Sequence, residues 1–554
     1  MAGSVFVWAW RRVGGRTILR AAIDFGRKGA PLGRYLGLDS STQSLSAIVI
    51  DSDTGQVVVE RSLNFGQRLP AYRCPSGFLP AEDPKVKQSD PLMWVDALEL
   101  LFGELKSSGL DLSQIRGISG AGQQHGSVYL GRSMATVGRW TQGASLVDQV
   151  RPLLSRAVAP IWMDSSTSEQ CAEITSAAGG EQRVVTITGS RAIERFTAAQ
   201  IRKFAQTEPK AWDATVEVHL VSSFMASMLV ATTTGIDLGD GAGMNLLDLA
   251  AGDWSPVMVR ATAPGLEQKL PRAVPSSSQV GLLADYFVSK YGFAPKTPVY
   301  AFTGDNPSSL VGMGASRPGT MVISLGTSDT VFAAMSQPRT DPRGYGHVFG
   351  NPAGGFMSLI CFSNGSLARE EIARRFGMSW EAFASAVLEG TRPGNDGNMM
   401  LPYFAPEITP RLLHPEPRWF GSPDFTEGRD AARAARAIVE AQALGMRLYS
   451  SWIGEKPETV LVTGGASRNR GILRVLADVL QAEIRPLTVA NSSALGGALR
   501  AAQATEKMPW ADLFAQFAAT DPQLRVGPDP STQVIYQELG AQFERRVEEL
   551  LAAQ

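Results

Sequence analysis

The sequence predicts an α/β fold of two domains carrying mixed sheets around a central cleft, and three observations lead there. At 554 residues the chain exceeds what one hydrophobic core usually serves. Two stretches open alike, with strand-like runs, then a helical run, then another strand. In both, short turns join the opening strands while later strands alternate with helices, so antiparallel pairing should give way to parallel pairing.

The first stretch starts at Tyr35. Tyr35 to Asp39, Leu45 to Asp51 and Gln56 to Phe65 read as strands, with Asp53-Thr54-Gly55 as the turn between the second and third. A helix follows, signalled by Asp90 as N-cap, Pro91 in its first turn, a stripe of Val95, Leu98, Phe102 and Leu105, and Gly109 where it should stop. Ile115 to Ser119 is the next strand. In the second stretch Met321 to Leu325, Thr330 to Met335 and Phe356 to Phe362 are the strands, and helices cover about Ser366 to Phe376 and Ala431 to Tyr449. Thr459 to Thr463 is then a strand, broken by Gly464-Gly465 ahead of a helix beginning near Asn469. The likeness is one of topology, without a short-period repeat. The boundary is expected near Gly312 to Gly319, which divides the chain into 1–34, 35–315, 316–503 and a helical tail over 504–554.

A formal charge of −1 leaves no electrostatic footprint for nucleic acid or an anionic membrane. Cys74, Cys171 and Cys361 are too few and too scattered for a disulfide framework or a zinc site, which suits a reducing compartment. No apolar run approaches the ~18 residues of a membrane span, and the expected location is cytoplasmic. Residues 1–34 stand apart: Arg11, Arg12, Arg16, Arg20, Arg27, Lys28 and Arg34 face the single acid Asp24. That is the composition of a transit peptide, with an organelle as the alternative location, and equally of a disordered tail or a misassigned start.

Two turns can handle phosphate. Ser40, Ser41, Thr42 and Gln43 follow the first strand, and Gly326, Thr327 and Ser328 follow its counterpart in the second stretch. Glycine lets backbone approach a phosphate, and hydroxyls and exposed amides donate to it. Either turn alone reads as an ordinary hairpin turn; the pair is what suggests a nucleotide. Asp39, at the end of the first strand, could hold Mg²⁺ through water. Between the turns in sequence, Thr303-Gly304-Asp305-Asn306-Pro307 places a carboxylate at a helix entry, with Pro307 at the first helical position. Asp305 there is either an N-cap or a general base, and the roles are compatible. The helix N-terminus is expected to keep it ionised at neutral pH. Gln123-Gln124-His125, Trp162 to Ser166 and the guanidinium groups of Arg191 and Arg195 could read a sugar, although His125 alone reads as a buried hydrogen-bonded residue. The Gly120-Ala121-Gly122 run lacks the rest of a dinucleotide fingerprint, and neither a P-loop nor the protein-kinase motifs are present.

Together these runs resemble the FGGY carbohydrate kinases, nearest to the animal-type xylulokinase branch. The resemblance rests on Leu38 to Gln43, Ser119 to Tyr129, Trp162 to Thr167, Gly189 to Ala192, Glu194 to Thr197, Asp240 to Leu247, Phe302 to Pro307 and Val462 to Ser467, in order across about Tyr35 to Ala502. It implies two actin/hexokinase-like domains of ribonuclease H type, the first sugar-binding and catalytic, the second nucleotide-binding. It implies transfer of the γ-phosphate of ATP, with Mg²⁺, to the 5-hydroxyl of D-xylulose. Gln124, His125, Arg195, Asp305 and Asn306 then look like sugar ligands, with Asp305 as base. Ser41, Thr42, Gln43, Gly326, Thr327, Ser328, Gly464, Gly465 and Asn469 look like nucleotide contacts, with Trp380 flanking the adenine or packing in the core. The resemblance leaves open another ketose or polyol, and a silent sugar- and nucleotide-binding protein. The expected partner is a small sugar, without nucleic acid or membrane, for a monomer or homodimer. One departure is Ala441 in Val439-Glu440-Ala441-Gln442, where the family pattern has glycine, and its methyl is expected to crowd nucleotide or neighbouring backbone.

Overall fold

The computed structural model describes residues 33–553 and the backbone of a hairpin whose strands, Trp8–Val13 and Arg16–Ala21, pair antiparallel. Of the expected targeting or disordered segment, residues 1–34, only the backbone of this hairpin and Gly33-Arg34 lie within the described residues.

Five of the seven strands of the first sheet are β1 (Arg34–Ser40), β2 (Ser44–Asp51), β3 (Gln56–Asn64), β4 (Ile115–Gly122) and β5 (Pro298–Tyr300). β1, β2 and β3 form an antiparallel meander, whereas β4 and β5 add in parallel on the far side of β1. The spatial order is thus β3-β2-β1-β4-β5. The second sheet repeats it with β6 (Thr320–Leu325), β7 (Asp329–Met335), β8 (Phe356–Phe362), β9 (Thr459–Thr463) and β10 (Glu483–Pro486), in the order β8-β7-β6-β9-β10. Antiparallel pairing again passes to parallel at the first strand of the set.

Between β3 and β4 runs helix α1 (Pro91–Ser107). The Asp90 side chain accepts from the Leu92 amide at 2.8 Å, a cap worth about 1 kcal/mol. Leu98, Leu101 and Phe102 are fully buried beneath the sheet, each contributing about 1.5–3 kcal/mol. Gly109 follows with φ of +83°, the left-handed turn that ends a helix. Residues between β4 and β5 form a largely helical insertion with its own core around Tyr129, Phe204 and Trp212.

Helix α2 (Asp305–Gly312) leads toward the second sheet. There α3 (Ser366–Arg375), α4 (Trp380–Leu388), α5 (Ala431–Ser450) and α6 (Arg470–Leu480) surround one large core. The chain then returns. α7 (Ser492–Glu506) lies across the back of the first sheet, its Ala494, Ala498, Ala501 and Ala502 packed with Tyr35, Ile48 and Ile50. Small residues permit the approach: a Cβ on Gly497 would stand 3.0 Å from the Gly120 Cα and 3.2 Å from the Gly37 Cα. Helix α8 (Gln533–Ala552) buries Tyr536, Leu539, Phe543, Val547 and Leu550 in the second core. Among the described residues no helix is long and apolar enough to cross a membrane.

Candidate active site

Register places the candidate residues at the carboxyl ends of adjacent parallel strands. Asp39 of β1 pairs with Ala121 of β4, and Ala121 pairs on its other side with Thr303. Asp39, the Gln123-Gln124-His125 run and Gly304-Asp305 therefore emerge together, where ligands of open α/β sheets bind. In the second sheet Ser324 pairs with Thr463, so Gly326-Thr327 and Gly464-Gly465 emerge side by side.

Helix α2 begins earlier than the sequence suggests. Gly304 is its N-cap and Asp305 its first residue, so Pro307 sits in the third position. The Asp305 Oδ1 accepts from the Asn306 amide at 2.8 Å and from the Asn306 Nδ2 at 3.2 Å. The Asn306 Nδ2 also donates to the Gln124 Oε1 at 2.7 Å, which locks the three side chains into one network. The expectation that the helix terminus keeps Asp305 fully ionised at neutral pH is corrected. Burial, then the charge of Asp39, push its carboxyl up to about 7 against the amides of Asn306 and Gln124. Desolvation outweighs the amides at the helix end.

Asp39 is 8% exposed. Its Oδ2 accepts from the Ser41 Oγ at 2.5 Å, whereas its buried Oδ1 has no partner. Burial raises its pKa as well. Two nearby acids, Asp39 buried with an unpartnered oxygen and Asp305 half-buried, suit a hard cation. Among the described residues no group of three or more His, Cys, Asp or Glu could hold a metal. Asp39 is the residue here that could hold a divalent cation, with waters completing its shell. Thr42 accepts from the Trp162 Nε1 at 2.8 Å and donates to the Gln123 Oε1 at 3.4 Å, while the Gln43 side chain is exposed and its carbonyl takes the Phe65 amide at 2.9 Å.

His125 is buried with φ of +69°. Its Nδ1 lies 2.7 Å from the Gly243 carbonyl oxygen, and its ring stacks on Phe196 at 4.3 Å between centroids. Burial and the neighbouring Arg195 charge depress its pKa to about 3. The imidazole is therefore neutral, Nδ1–H donates to that carbonyl, and Nε2 is left as an acceptor for a hydroxyl. Arg195 is half-buried and has no ion pair among the described residues, so its guanidinium keeps its donors for a ligand.

On the other side opens a cavity of about 960 Å³ walled by Gly326, Thr327, Trp380, Gly465 and Asn469. These residues come from three separate parts of the chain, and all are nucleotide candidates of the sequence. Trp380 opens α4 with 43% of its surface exposed; Phe383 and Val387 take the core positions instead. Asn469 caps α6, its Oδ1 accepting from the Ile472 amide at 3.1 Å. Gly464 lies beneath the wall with φ of +92°. Ser41, Thr42, Gln43 and Ser328 are not part of this wall; the first three cap β1 beside Asp39, and Ser328 is exposed ahead of β7. Ala441 is 2% exposed and faces a separate space of about 20 Å³ beside Asp329, Gln442 and Tyr449. Its methyl therefore lies away from the nucleotide cavity, and of the two expected neighbours the protein interior is the one it faces.

Sequence reasoning passes over Arg369. It reaches the cavity while binding Asp329 through two hydrogen bonds, at 2.7 and 3.0 Å, and Gln442 at 2.8 Å. Arginine inside a helical run reads as surface, and only the fold reveals its buried partner. Asp240, fully buried beside Gly304, is also passed over, although it lies in a glycine-rich run that the sequence displays.

Family models for the N-terminal and C-terminal domains of the FGGY family of carbohydrate kinases match residues 34–312 and 321–505. The chain belongs to this family. An FGGY kinase transfers phosphate from ATP to a carbohydrate, and the two repeated sheets above are its actin/hexokinase-like domains. The chain is 39% identical to a xylulose kinase of Rattus norvegicus, over 92% of this chain and 96% of that protein. It is 39% identical to xylulose kinase 2 of Arabidopsis thaliana, over 84% and 86%. Its fold matches the crystal structure of a xylulose kinase from Rhodospirillum rubrum with a TM-score of 0.79 at 22% identity, over 94% of this chain and 99% of that one.

Proposed function

We propose that this FGGY kinase phosphorylates the 5-hydroxyl of D-xylulose, with Asp305 as general base. The observation that carries the chemistry is the placement of Asp305, a carboxyl with a pKa of about 7, at the start of α2 and beside Asp39. A base poised near working pH both exists in its charged form and binds a proton well. The sugar assignment is supported by the relatives named above and by the neutral His125.

In this reading the 5-hydroxyl gives its proton to a carboxylate oxygen of Asp305 as its oxygen attacks the γ-phosphorus. The bond from that phosphorus to the bridging oxygen of ADP breaks, and ADP leaves with the bonding pair. His125 Nε2 accepts from a sugar hydroxyl, Arg195 donates to hydroxyl or carbonyl oxygens, and Asn306 and Gln124 hold the base in line. Trp380 lies against the adenine, while Gly326, Thr327, Gly465 and Asn469 line the path of the phosphates. Bound near Asp39, Mg²⁺ would offset phosphate charge. Residues 35–315 thus serve the sugar and 316–503 the nucleotide. A cytoplasmic enzyme, monomeric or homodimeric, completes the reading; cell fractionation and light scattering test those two points.

The deciding experiment measures ADP release with Mg-ATP over a panel of ketoses and polyols. Selective stimulation by D-xylulose is expected. Faster turnover of D-ribulose or L-ribulose would move the substrate, and silence from folded protein would overturn the enzyme assignment.

A further inference from the structure

Behind the base lies a pair of acids that the reaction scheme does not use. Asp237 and Asp240 are both fully buried, as are Thr303 and Ser222 beside them. Their surroundings differ. Asp237 accepts from the hydroxyls of Ser276 and Thr303 and, at 2.9 Å, from the Asp240 amide, and it feels the buried Arg500 charge. Asp240 accepts only from the Ser222 hydroxyl, at Oδ2, and its Oδ1 has no partner. The charges that act on Asp240 are Asp237 and Asp305, both acids. Two buried carboxylates this close do not both ionise. Burial raises the pKa of both, and further for Asp240, which lacks the donors and the nearby cation of Asp237, so Asp237 is the more readily ionised of the two.

The same two acids grip the turn that carries the base. Asp237 holds the Thr303 hydroxyl. Asp240 presses on the next residue, since a Cβ on Gly304 would stand 2.9 Å from the Asp240 Oδ1 and 2.5 Å from the Gln124 Cγ. Gln124 in turn holds Asn306 and hence Asp305.

We propose that Asp240 is a positioning residue, a fully buried acid whose unpartnered Oδ1 lies against the Gly304 turn and so keeps Asp305 in line with the sugar hydroxyl. A second negative charge here would hold Asp305 protonated and idle. The inference rests on Asp305 being the base.

The test compares wild type, Asp240→Ala, Asp240→Asn and Asp305→Asn with Mg-ATP and whichever sugar wild type prefers. Asp240→Ala is expected to lower kcat by about a hundredfold with the sugar KM moved less than about threefold, the signature of lost alignment. Asp240→Asn keeps the shape and a donor, and should recover at least about tenfold of that loss. Its acid limb of kcat/KM should coincide with that of wild type. Wild-type kcat in Asp240→Ala, no recovery in Asp240→Asn, or an acid limb displaced downward by a pH unit or more would each overturn the proposal. If Asp240→Ala does not fold, the Asp240→Asn profile alone decides between an uncharged and a charged native side chain. Wild-type turnover in Asp305→Asn would instead overturn the base assignment, whatever Asp240 does.

Discussion

Gly464 and Gly465 are adjacent, yet alanine at each should act through different physics. Gly464 has φ of +92°, a region where a side chain costs about 1–3 kcal/mol. A Cβ there would also stand 2.7 Å from the Leu325 carbonyl carbon and 3.0 Å from its nitrogen, closer still to its oxygen. Leu325 ends β6, so the obstacle is sheet backbone and cannot swing away as a side chain would. Relief requires the end of β6 and Gly326 to move off β9, which distorts the wall of the nucleotide cavity. With tenfold per ~1.4 kcal/mol, Gly464→Ala should weaken ATP binding about ten- to a hundredfold and lower the melting temperature without ligand. At Gly465 a Cβ would find nothing within 4 Å, and the backbone there is not left-handed. Gly465→Ala should melt like wild type and lose affinity only for ATP, because its methyl enters the space meant for the nucleotide. Calorimetric melting and ATP titration of both variants form the assay. Wild-type melting and ATP affinity in Gly464→Ala would refute the argument, and so would a destabilised Gly465→Ala.

Asp305→Asn should lower ADP release by about 10²–10⁴, the usual worth of a general base. It should also show a pH-dependent stability gain. The native carboxyl binds its proton more tightly folded (about 7) than its ordinary value of 3.8, so wild type loses stability as pH rises between these values. The melting temperature of Asp305→Asn should therefore pull ahead of wild type across that window, and parallel curves would refute the raised pKa. Arg369→Met leaves Asp329 buried without its partner, both groups being 1% exposed, and should cost about 3–5 kcal/mol in denaturant unfolding. Trp380→Ala should leave stability nearly unchanged because the ring is exposed, while the KM for ATP rises about three- to tenfold; an unchanged KM would remove the ring from the adenine site.

The local architecture could be read from the chain because its signals sit within a few residues of their effects. Asp90 caps, Pro91 opens and Gly109 ends α1, and the strand runs of both sheets lie within a residue or two of their observed ends, except that the run ending at Ser119 continues to Gly122. The phosphate-type turns, Asp305 and His125 were likewise visible, since each motif is contiguous. What tertiary structure decided depends on residues far apart in sequence. Asp39 raises the proton affinity of Asp305 only because β4 aligns both strand ends. Trp380 joins the nucleotide wall rather than the core because α4 and the Gly465 turn are brought together from 85 positions apart. Helix α7 follows the second sheet in sequence but packs on the first, because Gly37, Gly120 and Gly497 let their backbones meet. The Arg500 charge that sets Asp237 apart from Asp240 is carried by that same helix. Propensity and capping are local free energies written in neighbouring residues, whereas desolvation and charge coupling belong to the whole folded environment.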